Sequence, residues 1–215
     1  MNYQLLKDKQ RLLRHGFPDA HGLRVHRALS WLNKAEQCDD DKDAQFVFLW
    51  ISFNAAYAQG LESSKFSELE TFQLFIKKLC GLDKNQQLHQ LLWSEFTSSI
   101  RLLIDNQYVF QPFWDHHNGK ITEQEWRDKF SAAKSKANKA LSRNDSPALL
   151  TVILARLYTL RNQIIHGGAT WNSSANREQL RDAVNFLSKL SPILIDIMMD
   201  NPGAMWGEAH YPMLD

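Results

Sequence analysis

Apolar side chains recur every three to four residues through nearly the whole of this 215-residue chain, and runs of β-branched residues are scarce. That spacing lines one face of an α-helix but would scatter over both faces of a strand, so it predicts an all-α fold. In "HGLRVHRALSWLNKAEQC" it places Leu23, Ala28, Trp31, Leu32 and Ala35 on a buried stripe and leaves Arg24, Arg27, Lys34 and Glu36 to solvent. The acidic run "DDDKD" that follows suits a helix start, where carboxylates meet free N–H groups and the positive end of the helix dipole. The next helix, about residues 42 to 59, stacks Phe46, Leu49, Trp50, Phe53, Asn54 and Tyr57 on one face.

Further along, "SELETFQLFIKKLCG" reads as a helix capped by Gly81, and "NQQLHQLLWSEFTSSIRLLI" as another. Residues 105–121, with Pro112 and an Asn-Gly pair, break the pattern and read as an inserted loop. Helix resumes in "TEQEWRDKFSAAKSKANKALSR", pauses at "NDSP" and restarts with Ser146 as N-cap and Pro147 as first residue. A last helix, "REQLRDAVNFLSKLSPILIDIMM", sets Leu180, Ala183, Val184, Leu187 and Leu190 on one side, with a kink expected at Pro192. The turn-rich tail from about residue 200 carries Met205, Trp206 and Tyr211, which should dock. The whole predicts one domain over 1–215, a helical bundle with an elaboration over about 61–145.

Composition narrows function mainly by exclusion. Lys and Arg total 25 against 24 acids, so any preference for a charged partner must come from local clustering. Two distant cysteines, Cys38 and Cys80, fit neither a disulfide scaffold nor a thiolate metal site, and suit a reducing, cytoplasmic setting. The first residues lack the apolar centre of a secretory signal, and "FVFLWISFNAAYA" falls short of the ~20 residues of a membrane span, so no membrane association is expected.

The densest chemistry closes the apolar run "PALLTVILARLYTLRNQIIH". Leu150, Ile153, Leu154 and Leu157 lead at helical spacing to Arg161, which therefore continues a buried face. A guanidinium taken from water needs an anion, either a carboxylate of the protein or a visiting phosphate. His166 follows five residues on, rotated by ~140° and displaced by roughly 7.5 Å on an ideal helix, so one chain offers an incomplete constellation. Gly167 and Gly168 would unwind the last turn and free the histidine to swing. With 11 arginines and 8 histidines, about 0.4 pairs at this spacing arise by chance, and requiring asparagine after the arginine lowers this to roughly 0.025.

"RNQIIHG" resembles the R-N-x-x-x-H motif of the HEPN superfamily, helical domains found in prokaryotic toxins and phage-defence proteins. "FVFLWISFNAAYA" is similar to an aromatic segment of Apea-like HEPN proteins, W-x-x-F-N-A-x-Y. The resemblance implies a helical bundle that forms a homodimer, lining one cleft with the motif residues of both copies, and metal-independent cleavage of RNA without a cofactor. Carried over, Arg161 would stabilise charge on the scissile phosphate, His166 would move protons and Asn162 would orient or bind. The tyrosine that follows the motif histidine by two residues in nucleotidyltransferase-regulated relatives is Gly168 here, which argues against that route of control.

Weaker candidates accompany the motif. "RDKFSAAKSKANKALSR" offers Lys134, Lys136, Lys139 and Arg143 as RNA-backbone contacts, against the plainer reading of a solvated helix face. Asp115, His116 and His117 are adjacent, a poor arrangement for one metal ion, and no metal site is expected. Trp93, Trp114 and Trp126 could stack bases, although buried aromatics are the commoner case. The leading expectation is an endoribonuclease of toxin or phage-defence type, with RNA, a second copy and an antitoxin or regulatory protein as partners. The alternatives are a non-catalytic HEPN module that binds RNA, a nucleotide or a partner protein, and a helical interaction protein with no site.

Overall fold

The computed structural model describes residues 1–57, 68–95, 97–174, 177–204 and 206–207. In chain order they form α1 (Tyr3–Leu13), α2 (Asp19–Glu36), α3 (Lys42–Tyr57), α4 (Glu68–Leu82) and α5 (Gln87–Gln90). After a π-helical turn at 91–95 follow α6 (Thr97–Asp105), α7 (Gln111–His117), α8 (Glu123–Ser142), α9 (Ser146–Ile165) and α10 (Arg177–Asp200). Every regular element among the described residues is helical, and the fold is all-α. The helices cluster as two compact units, Met1–Gln87 with Leu180–Asp215, and Leu88–Gln179. The second of these contains α9 and with it the whole motif.

In the first unit α2 pairs with α3, and the stripe facing α3 differs from the one the spacing predicts. Arg24 is 1% exposed while Trp31 is 37% exposed, so the buried face runs through His21, Arg24, Val25, Ala28, Leu29, Leu32 and Ala35. Arg24 is accommodated because its Nη1 donates to the Ala56 carbonyl at 3.0 Å, one of the last carbonyls of α3, where the helix dipole favours a cation. Asp41 caps the start of α3, its Oδ1 accepting from the Ala44 N–H at 3.0 Å, as the acidic run suggested. Gly81 lies inside α4 and does not end it. The tail docks through Trp206, which is buried, stacks on His21 and donates from Nε1 to the Asn201 carbonyl; Met205 and Tyr211 lie outside the described residues. Helix α10 runs on through Pro192 to Asp200.

The second unit corrects the reading of residues 105–121. Phe110 precedes α7 and Pro112 falls in its first turn, where the missing N–H costs nothing, so proline begins a helix instead of breaking one. Asn118 and Gly119 (φ +73°) then end it. Helix α8 opens on a capping box in which Thr122 and Glu125 satisfy each other's backbone N–H. Helix α9 is capped by Asp145, one residue earlier than expected, because its Oδ1 reaches the Ala148 N–H at 3.0 Å. By length and mean hydropathy α9 could cross a membrane; here eight of its residues are buried, and they include Arg156.

Candidate functional site

The end of α9 is closed by a tight cap. The Gly168 N–H donates to the Gln163 carbonyl at 2.7 Å and the Gly167 N–H to the Ile164 carbonyl at 3.2 Å, the paired bonds of a Schellman motif. Gly167 takes φ +70°, and a Cβ on Gly168 would lie 3.0 Å from the Gln163 oxygen, so each glycine is needed for a different reason. The expectation of an unwound turn is thereby corrected. His166 occupies the C-cap position with its N–H on the Asn162 carbonyl at 3.1 Å and its side chain exposed. A tyrosine at 168 would carry the same Cβ into the Gln163 carbonyl.

One turn earlier, Arg161 Nη1 donates to Asn162 Oδ1 at 2.9 Å, and the guanidinium carbon lies 5.8 Å from the Tyr158 ring centre. Arg161 is half-buried, and among the described residues its shielded Nε has no hydrogen bond and no carboxylate comes within ion-pair distance of it. Of the two anions the sequence allowed, a carboxylate of the described chain is therefore absent. Gln163, between the asparagine and the histidine, donates from Nε2 to the Tyr108 carbonyl at 2.7 Å, and Trp114 Nε1 shares that acceptor at 2.8 Å. The motif helix is thus tied to the segment before α7.

Within α9 the fully buried arginine is Arg156, at 2% exposure, which the sequence reading passed over. Its guanidinium carbon lies 4.3 Å from the centre of Phe110 and 5.2 Å from that of Phe130, with Nη2 donating to the Ile104 carbonyl at 3.1 Å. Burial pushes its pKa down to about 10 against the opposing attraction of Asp105. Spacing could have found it, since Leu149, Ile153, Arg156 and Leu160 follow one another at intervals of three and four.

The four basic candidates of α8 separate. Lys134 pairs with Asp105 at 2.7 Å and lies 5.6 Å from the Phe130 ring centre, a structural engagement. Lys136, Lys139 and Arg143 come together along a groove of about 440 Å³ between α8 and the start of α9. The other polar candidates are absorbed by structure. His116 Nδ1 lies 3.1 Å from the Ile121 carbonyl, His117 packs on Phe113, and Asp115 faces Lys120 at 3.7 Å. Trp126 is buried, Trp93 stacks on His89, and Trp171, which the sequence reading did not single out, is 72% exposed.

No family model matches the chain, and no curated protein or solved structure does so either.

Proposed function

We propose that the chain is a metal-independent endoribonuclease that works as a homodimer, with Arg161, Asn162 and His166 of each copy contributing to a shared cleft. The observation that carries this reading is the half-buried Arg161 guanidinium, held by Asn162 and without a carboxylate partner among the described residues, one turn from an exposed histidine. A cation kept uncompensated beside a proton-transfer group suits a phosphodiester that brings its own negative charge.

RNA also brings its own nucleophile. A base takes the proton of the 2′-OH, the oxygen attacks phosphorus, the P–O5′ bond breaks, and an acid protonates the departing 5′ oxygen. The products are a 2′,3′-cyclic phosphate and a 5′-OH. Arg161 offsets the charge that grows on the phosphoryl oxygens, and Asn162 fixes the guanidinium. Base and acid are two groups, and one motif supplies a single histidine, so a two-fold dimer completes the set with His166 of a second copy. Ile165 and Trp171, both exposed and close in sequence to His166, provide apolar surface for that contact. The setting proposed is a cytoplasmic toxin or phage-defence protein restrained by an antitoxin or other regulatory protein.

The test is incubation of the purified protein with RNA in EDTA, alongside His166→Ala and Arg161→Ala. Cleavage by the parent and its loss in both variants supports the reading. RNA binding without cleavage selects a non-catalytic HEPN-like module that keeps the motif for its charge.

A further inference from the structure

Helix α8 treats its cations unequally. Near its start Arg127 is paired with Glu123 at 2.6 Å, and midway Lys134 is paired with Asp105 at 2.7 Å. Beyond them Lys136, Lys139 and Arg143 have no carboxylate within ion-pair distance among the described residues. All three line the groove of about 440 Å³ whose floor includes Ala140 and Ala148. Asp145, the one acid of that lining, already accepts the Ala148 N–H as the N-cap of α9. The three cations therefore edge a channel floored by small side chains.

We propose that this groove is a second RNA site, which grips the backbone of a strand away from the place where the strand is cut. Lys136, Lys139 and Arg143 are spaced i, i+3 and i+7, covering about 10 Å of helix axis. A single strand carries one negative charge per nucleotide along its backbone, so a row of three cations on one helix face can meet successive phosphates of one strand. The separation from the motif follows from α9 itself. Ala148 and Arg161 are thirteen residues apart, which places them ~20 Å apart along the axis and on different sides of the helix, rotated by roughly 140°. A phosphate held in the groove is therefore not the one beside Arg161. Binding energy gained there is equal in ground and transition states, so the groove lowers KM and leaves kcat unchanged.

The inference rests on the reading of this chain as an RNA-acting protein, and its test is built to fail separately from that reading. Binding of a 20-nucleotide fluorescein-labelled oligouridine is measured from 50 to 300 mM salt in the His166→Ala protein, with and without Lys136→Gln, Lys139→Gln and Arg143→Gln together. Removing three phosphate contacts should flatten the plot of log affinity against log salt by about 2, at ~0.7 per contact on a single strand. Each single substitution should flatten it by roughly a third of that, which keeps the test readable if the triple variant folds poorly. An unchanged slope overturns the proposal and leaves the three cations as partners of the negative end of α8. In the parent background, cleavage with a raised KM and unaltered kcat supports the groove, and a loss confined to kcat overturns it. Should the parent not cut RNA while the slope still drops, the groove stands and the catalytic reading falls.

Discussion

Arg161 Nη1 donates to Asn162 Oδ1 at 2.9 Å, although adjacent residues on a helix do not normally face each other. The long arginine side chain reaches its neighbour, which orders the guanidinium while its Nε is shielded and has no hydrogen bond among the described residues. Under the proposed mechanism the pairing casts Asn162 as a positioning residue. Asn162→Ala should lower cleavage by about tenfold to a hundredfold, less than Arg161→Ala, while Asn162→Asp should neutralise the guanidinium and lower it further. Comparing kcat/KM for the three variants on one RNA checks the order; equal activity of the Asp variant and the parent contradicts it.

The cap of α9 sets the backbone of His166. Gly167→Ala forces a side chain into φ +70° at a cost of about 1–2 kcal/mol, and Gly168→Ala pushes a Cβ against the Gln163 carbonyl. Both variants should lower the urea midpoint, and both should lose cleavage out of proportion to stability because His166 shifts with its cap. Normal cleavage by folded protein would disconnect the cap from the site.

Arg156 tests the packing of the second unit. Arg156→Ala removes the guanidinium between Phe110 and Phe130 and strands the Ile104 carbonyl, for a loss of about 3 kcal/mol in urea unfolding. Arg156→Met keeps the length, fills the space between the rings and removes a charge whose burial is costly, so it should lose less than half as much. Equal losses in the two variants would mean that the hydrogen bond, and not the packing, dominates.

His21 gives the first unit an acid sensitivity. It is buried between Phe17 and Trp206, neither ring nitrogen has a hydrogen-bond partner among the described residues, and burial, with the Arg24 charge adding to it, pushes its pKa from 6.5 down to about 4. Between those values the unfolded chain binds the proton and the folded chain does not, so stability falls as pH drops through that window. Urea unfolding across pH 4 to 7 should show a shallower pH dependence for His21→Phe than for the parent. Parallel curves would remove His21 from the account.

How much was legible in the sequence follows from what spacing can and cannot encode. The helical class, the Asp41 cap and the stop at Gly167 are local and were readable. The burial of Arg24 was not, because its partner is the Ala56 carbonyl, a backbone group thirty-two residues away that no side-chain pattern announces. Residues 105–121 were misread because Pro112 favours a helix start as strongly as it opposes a helix middle, and only the neighbouring packing chooses. Within the site, helical spacing singles out Arg161 and the helix end singles out His166, while Asn162 enters through the motif. The division of Lys134 from Lys136, Lys139 and Arg143 needed Asp105, which lies twenty-nine residues from Lys134.

The central claim is most directly tested by the ends that the protein leaves on RNA. A defined oligoribonucleotide, incubated in EDTA with the parent, Arg161→Ala or His166→Ala, is resolved by mass spectrometry. The account predicts 2′,3′-cyclic phosphate and 5′-hydroxyl ends from the parent and intact RNA from both variants. Intact RNA in all three reactions, or the same cleavage in all three, contradicts it.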